Sequence, residues 1–385
     1  MNETIRIFAI EIRKQAIRPD NHLFSTAMKN RIFLPSQIIV ILILLLVSHS
    51  RSTVAQSSVR DASNASFGLF ENEDPLEIVL QYDLTTYLRR KPKEEYIKGK
   101  ITFHPGSADS ITRDIRLRTR GVFRHTQCYY APLELNFRNT GFGYSDLDSI
   151  RKIKMVPQCN PGRESEKYVL IEYLIYKMFS TLTDTSFKVR LLTVKYIDSE
   201  NRQKPFTQFG FFIEPVKMLA ARTNSMEIES RALTQKTVYP HMIDRIAIFN
   251  YMIGNFDWAV PNQHNIKTFK PRVFESEYLV TAVPYDFDFT GLVDASYAIP
   301  DDKITGTTSI RDRIFLGVCR SREVYQQALV EFLEKKDEFY GLINEFPYLD
   351  AKQKKKMIYY LDTFYEQCTG KQRIVSVFLN SCKNF

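Results

Sequence analysis

The sequence predicts an α+β protein built as two lobes, a β-rich one over residues 75–215 and a mainly helical one over residues 216–385. Three observations predict it. Short apolar runs with strand-like alternation, separated by turn residues, fill the stretch from Leu76 to Ile213. Apolar residues at helical spacing dominate beyond Gly291, in Glu323–Lys335 and Lys352–Glu366. Between these halves, Phe249 to Gly291 compresses an amphipathic run, a polar loop and an apolar run ending in Asp-Phe-Asp. With 44% hydrophobic and 13% aromatic residues, the chain is apolar enough to bury a large core.

Residues 1–27 carry no distinct pattern, but Met28 to Gln56 does. Lys29 and Arg31 form a basic start, Ile38 to Val47 is an unbroken apolar run of ten residues, and Thr53-Val54-Ala55 supplies small residues for a signal peptidase. Ten apolar residues are too few to span a bilayer, so residues 1–55 read as a secretory signal with an upstream extension. Translation starts at Met1 or at Met28, and the protein is expected in the periplasm or outside the cell, touching membrane only through this signal. Its removal takes away seven Lys/Arg and three Asp/Glu and lowers the formal net charge from +9 to +5. That excess is modest, and without a basic stripe interleaved with aromatics it argues against a nucleic-acid partner. Residues 56–74 read as a polar leader.

The strand candidates of the first lobe are Leu76–Tyr82, Tyr96–Phe103, Thr112–Thr119 and Leu133–Phe137. Between the last two, Arg118-Thr119-Arg120-Gly121-Val122-Phe123-Arg124 sets arginines around a glycine in a turn. Its amides and guanidinium forks suit phosphate, while a basic hairpin facing water fits the same residues. Ile150–Val156 is the next strand, with Lys152 and Lys154 on one face, and Glu164–Phe179 is a helix with Glu172 at the border of its buried side. A strand lysine followed by a helix glutamate can hold a nucleotide's phosphates. Lys154 with Glu172 is the preferred pair, and Lys152 or Glu166 can substitute. Ser186–Ile197 and Phe206–Ile213 read as a hairpin ending at Glu214-Pro215, so Glu214 to Arg222 is expected as a hinge between lobes, lining an adenine pocket.

In the central stretch, His241–Ile253 suits a helix that Gly254 can end, and the polar segment Asn255–Asn265 a loop. Ile266–Phe269 and Tyr278–Tyr285 read as strands, leaving Asp286 and Asp288 where the second gives out. Phosphoryl transfer needs one carboxylate to accept or orient an attacking hydroxyl, and an amide oxygen with a second carboxylate to hold magnesium. Asp257 fits the first role and Asp286 the last. Asn262 lies five positions after Asp257, the spacing of a kinase catalytic loop, whereas Asn265 sits at the loop-to-strand junction and is preferred. Asp288 joins Asp286 only if the backbone stays extended between them. A different chemistry, metal-dependent hydrolysis, would use Asp286, Asp288 and His264.

The exported part holds Cys128, Cys159, Cys319, Cys368 and Cys382, an odd count that leaves at least one thiol unpaired or pairing between chains. Nearness in sequence suggests Cys128 with Cys159 and Cys368 with Cys382. No CxxC spacing offers a zinc site.

Arg118-Thr119-Arg120-Gly121, Glu172 in a long helix, Phe211-Phe212-Ile213-Glu214, Asn255-Phe256-Asp257 with His264-Asn265-Ile266, and Tyr285-Asp286-Phe287-Asp288 with Gly291 together resemble the spore-coat CotH kinase-like family, in its exported bacterial versions. The resemblance spans about Arg116 to Gly291. It implies a two-lobed, atypical protein-kinase-like fold and a phosphotransferase that uses ATP with Mg2+ or Mn2+, acting on an exported protein or another hydroxyl acceptor. It further implies Asp257 as the catalytic Asp, and Asn265 and Asp286 as metal ligands. A kinase-shaped binding protein without catalysis would share all of these motifs.

Overall fold

Alternation makes the first strand: in β1 (Leu76–Tyr82), Leu76, Ile78, Leu80 and Tyr82 are buried and the residues between them turn outward. The computed structural model describes residues 65–273, 276, 278–369 and 373–384, so the signal segment of residues 1–55 lies outside the described residues. β2 (Ile97–Phe103), β3 (Ile111–Thr119), β4 (Leu133–Asn136), β5 (Lys152–Pro157), β6 (Val189–Asp198) and β7 (Phe206–Ile213) follow, close to the predicted ranges. They close into a barrel in the order β1-β2-β3-β4-β5-β7-β6. Neighbours pair antiparallel except at the closure, where β1 and β6 run parallel with Leu76 against Leu192 and Tyr82 against Asp198. Ile78, Leu80, Phe103, Leu135, Val194 and Phe212 pack together inside it.

This closed seven-stranded barrel overturns the expected two-lobed kinase-like fold. Each strand carries the same local alternation whether its sheet is open or closed. The closure depends on β1 meeting β6, more than one hundred positions away, and no local pattern encodes that pairing.

Short helices α1 (Leu84–Arg90), α2 (Phe123–Gln127) and α3 (Ser145–Ser149) and the long α4 (Arg163–Leu182) lie in the connections of the barrel. After it come α5 (Val216–Arg222), α6 (Pro240–Ile253), α7 (Asp302–Thr305), α8 (Arg322–Glu334), α9 (Lys336–Glu345), α10 (Ala351–Thr369) and α11 (Arg373–Ser381). A small sheet of β8 (Ser225–Ile228), β9 (Ile266–Pro271) and β10 (Thr281–Pro284) has the order β10-β9-β8. Val156, Leu191, Phe211 and Ile213 point out of the barrel into one continuous core with Ile171 and Ile175 of α4 and Ile246 and Phe249 of α6. Parts of β5, β6 and β7 are thus buried on both faces, while Lys152, Lys195 and Thr207 stay exposed. No helix among the described residues is long and apolar enough to cross a membrane.

The expected hinge, Glu214 to Arg222, is instead the entry to α5 and is closed on itself. The Arg222 guanidinium donates to both oxygens of the buried Glu214 carboxylate, at 2.8 and 2.9 Å. With barrel and helices sharing a core, there are no separate lobes for it to join.

Cys128 and Cys159 are bonded as expected, but Cys382 pairs with Cys319, and Cys368 is a buried free thiol that burial pushes up to about 12. Helical geometry explains the correction, because Cys368 sits on the buried side of α10 while Cys382 follows α11 and meets the segment before α8. A non-reducing peptide map should link residues 319 and 382. Removing that bond in Cys319→Ser/Cys382→Ser should cost about 4 kcal/mol for a loop of 63 residues, read by denaturant unfolding.

Candidate active site

The central stretch is held at both ends by two glycines. Gly254 ends α6 in the left-handed region at φ 68°, where its N–H returns to the last turn. Gly291 donates its N–H to the Gly254 carbonyl at 3.0 Å, and the Tyr360 hydroxyl lies over both, leaving no room for a Cβ at either. Between them the chain leaves α6, loops out and comes back. Asn255, fully buried, accepts the Asp257 N–H on its Oδ1 at 2.9 Å and donates its Nδ2 to Asn250 Oδ1 at 2.9 Å, fixing the start of the loop.

Asp257 is the hub of this loop. Its Oδ1 lies 2.6 Å from His264 Nε2, and its Oδ2 accepts from Asn265 Nδ2 at 3.0 Å. Asn265 sits in the left-handed region at φ 52°, directly before β9, and its Nδ2 also donates to the Asp257 carbonyl at 2.8 Å. Its Oδ1 therefore stays available. Asn262 lines the same cleft, but its Oδ1 accepts the His264 N–H at 3.3 Å as a turn residue does. The hydrogen bond to Asp257 raises the His264 pKa above its ordinary 6.5. A raised imidazole gives its stabilisation in full below the ordinary value and loses it as pH rises through the folded-state value. An NMR titration of His264 should therefore have its midpoint above 6.5 and move down in Asp257→Asn.

On the other wall, β10 ends and Tyr285 donates its N–H to the Asn265 carbonyl at 3.0 Å. Asp286 then takes φ 64°, a conformation that costs a residue with a Cβ about 1 kcal/mol, and its N–H is held by Tyr176 Oη at 2.8 Å. The backbone is thus not extended at this point, yet the acids converge. Carboxylate oxygens of Asp286, Asp288 and Glu172 lie within 4.8 Å of one another. The Asp286 carboxylate has no hydrogen bond or ion pair among the described residues.

Glu172 does not pair with Lys154 as expected. Its partner is Arg124, whose Nη2 reaches Glu172 Oε2 and whose Nε donates to Asp288 Oδ2 at 2.6 Å. Arg124 belongs to α2, and the Cys128–Cys159 bond that follows ties this helix to the segment entering α4, which carries Glu172. One guanidinium does not satisfy the cluster: Arg124 Nη1 and Glu172 Oε1 are buried without a partner. Burial pushes the Glu172 carboxyl up to about 8 and raises Asp288 as well. The site is short of positive charge.

The remaining predicted residues divide. Arg120 lines the cleft with Asp257, Asn265, Asp286 and Asp288, around a volume of about 560 Å3, and its guanidinium has no partner among the described residues. Lys154 lies over the Tyr285 ring at 5.1 Å, and burial, followed by the charge of Arg120, lowers its pKa to about 8. Arg118 is turned away to Glu134, at 3.0 Å on the outer barrel wall, and Glu214 to Arg222. Reasoning from the sequence missed Arg124, although it lies in the arginine turn; its reach to Glu172 depends on how α2 is clamped.

The three carboxylates form a hard oxygen donor set of the kind that suits Mg2+ or Mn2+, and Glu172 Oε1 is the unsatisfied atom such an ion would answer. The chain matches no protein-family model and none of the curated proteins.

Proposed function

We propose that this protein is a divalent-cation-dependent phosphotransferase that moves a phosphoryl group from ATP to a hydroxyl of an exported protein. The observation that carries the reading is the Asp286 carboxylate, unpartnered, strained into place and set across the cleft from Asp257 and Asn265. Short motifs resembling those of the CotH kinase-like family support it. Asp286, Asp288, Glu172 and Asn265 Oδ1 would hold the ion, which when bound neutralises charge on the phosphates. Arg120 and Lys154 offer cations to the same phosphates. Asp257 takes the proton of the acceptor hydroxyl as its oxygen bonds to phosphorus and the bond to ADP breaks, and His264 keeps that carboxylate oriented. A metal-dependent hydrolase is the second reading, favoured by the Asp257–His264 contact at 2.6 Å, which resembles a base with its orienting partner.

Thermal unfolding of the purified protein with ATP and Mg2+ or Mn2+ tests the proposal. Saturating ligand should raise stability by about 2 to 4 kcal/mol, and label from γ-phosphate should appear on an acceptor protein. Stabilisation without labelled acceptor would favour a binding protein. Phosphoester hydrolysis with metal and without nucleotide would favour the hydrolase.

A further inference from the structure

The outer wall of the barrel carries a feature separate from the carboxylates. In β3 and the residue after it, Arg116, Arg118 and Arg120 recur at every second position and so leave the sheet on one side. Lys152 and Lys154 do the same in β5. β4 lies between, in register with both: Arg116 faces Asn136, which faces Lys152, and Arg118 faces Glu134, which faces Lys154. On its other side Arg116 faces Lys98 of β2, a like charge directly opposite, which costs an antiparallel sheet stability.

The acids present do not neutralise this wall. Glu134 is shared by Arg118 at 3.0 Å and Lys152 at 3.4 Å, and Asp114 stands 4.0 Å from Lys100 at the rim. Lys98, Arg116 and Arg138 have no ion pair among the described residues and line a hollow of about 450 Å3 with Asn136 and one acid, Asp114. Both rows lead the same way. The β3 row ends at Arg120 in the cleft with Asp257 and Asp286, and the β5 row ends at Lys154 over Tyr285.

We propose that these two basic rows hold an acidic polypeptide segment and lead it to the cleft; only in naming that segment as the acceptor does this rest on the phosphoryl-transfer reading. From Arg116 to Arg120 the row is about 13 Å long at roughly 3.3 Å per residue, and the rows stand about 10 Å apart, two strand spacings. That holds one extended chain with acids on alternate residues. Single-stranded nucleic acid needs open aromatic faces on which bases stack. The ring here, Tyr96, is already covered by Arg118 at 4.8 Å, Lys152 at 5.6 Å and Arg116 at 5.7 Å.

The test is fluorescence anisotropy on the purified protein, without ATP or metal, using a labelled peptide of glutamates around one serine. The same peptide with glutamines, and an oligonucleotide of equal charge, serve as comparisons. The acidic peptide should bind best, weaken about tenfold or more in Arg116→Glu/Lys152→Glu, and weaken as salt rises. A melting curve of that variant checks its fold, and Asp286→Asn should keep peptide binding. Equal binding of the glutamine peptide, tighter binding of the oligonucleotide, or unchanged affinity in the folded charge-reversal variant would overturn the proposal. Peptide binding through these rows without phosphoryl transfer would support the docking surface and count against the reading of the cleft.

Discussion

Asp286→Asn is expected to abolish phosphoryl transfer, by roughly a thousandfold, while the protein stays folded. The amide keeps the size of the side chain and the backbone N–H bond to Tyr176, so the loop is retained. What it removes is a carboxylate that makes no hydrogen bond or ion pair among the described residues, although Arg124, Lys154 and His264 feel its charge. Stability should change by less than about 1 kcal/mol, because the repulsion from Glu172 and Asp288 that is relieved is offset by the attraction to Arg124, Lys154 and His264 that is lost. Melting with and without Mn2+ and ATP, together with a transfer assay, reads all three quantities. A variant that still transfers phosphate at wild-type rate, or that still gains full stability from Mn2+ and ATP, would remove the basis of the proposal.

Arg124→Met should have the opposite profile, a large loss of stability. Among the described residues Arg124 is the sole cation bonded to the buried Glu172 and Asp288, and truncating one partner of a buried ion pair typically costs about 3 to 5 kcal/mol. The loss should depend on pH with a definite sign. Burial holds the Glu172 carboxyl at about 8 against an ordinary 4.5, so the folded state binds the extra proton. Its contribution is full below 4.5 and is lost as pH rises through about 8, and removing Arg124 moves that upper limit higher. Arg124→Met should therefore be closer to wild type at pH 5 than at pH 8, and Glu172→Gln in the same chain should restore part of the stability. Denaturant melts at the two pH values read this. Equal losses at both would show that Arg124 acts through packing rather than charge.

Much of the local structure was legible in the sequence because it rests on short-range rules. Alternation placed β1 at Leu76–Tyr82 and β7 at Phe206–Ile213, and a wide apolar face followed by glycine placed α6 and its end at Gly254. Short helices such as α2 and α5 carry too few turns to show a period, and so Arg124 read as part of a turn and Glu214 as part of a hinge.

The candidate site divides along the same line. Asp257, Asn265, Asp286 and Asp288 were visible because they cluster within one stretch at the ends of recognisable elements. The sequence alone determined the barrel strands, β9, β10, the longer helices and this polar stretch, but not β8, since each of the former is set by neighbours a few residues apart. Only the tertiary structure decided the closure of β1 on β6, the partner of Cys382, and the capture of Glu172 by Arg124 rather than Lys154. Those contacts join residues from 48 to more than one hundred positions apart. They form because burial leaves charges and strand edges that must find partners, wherever in the chain those partners lie.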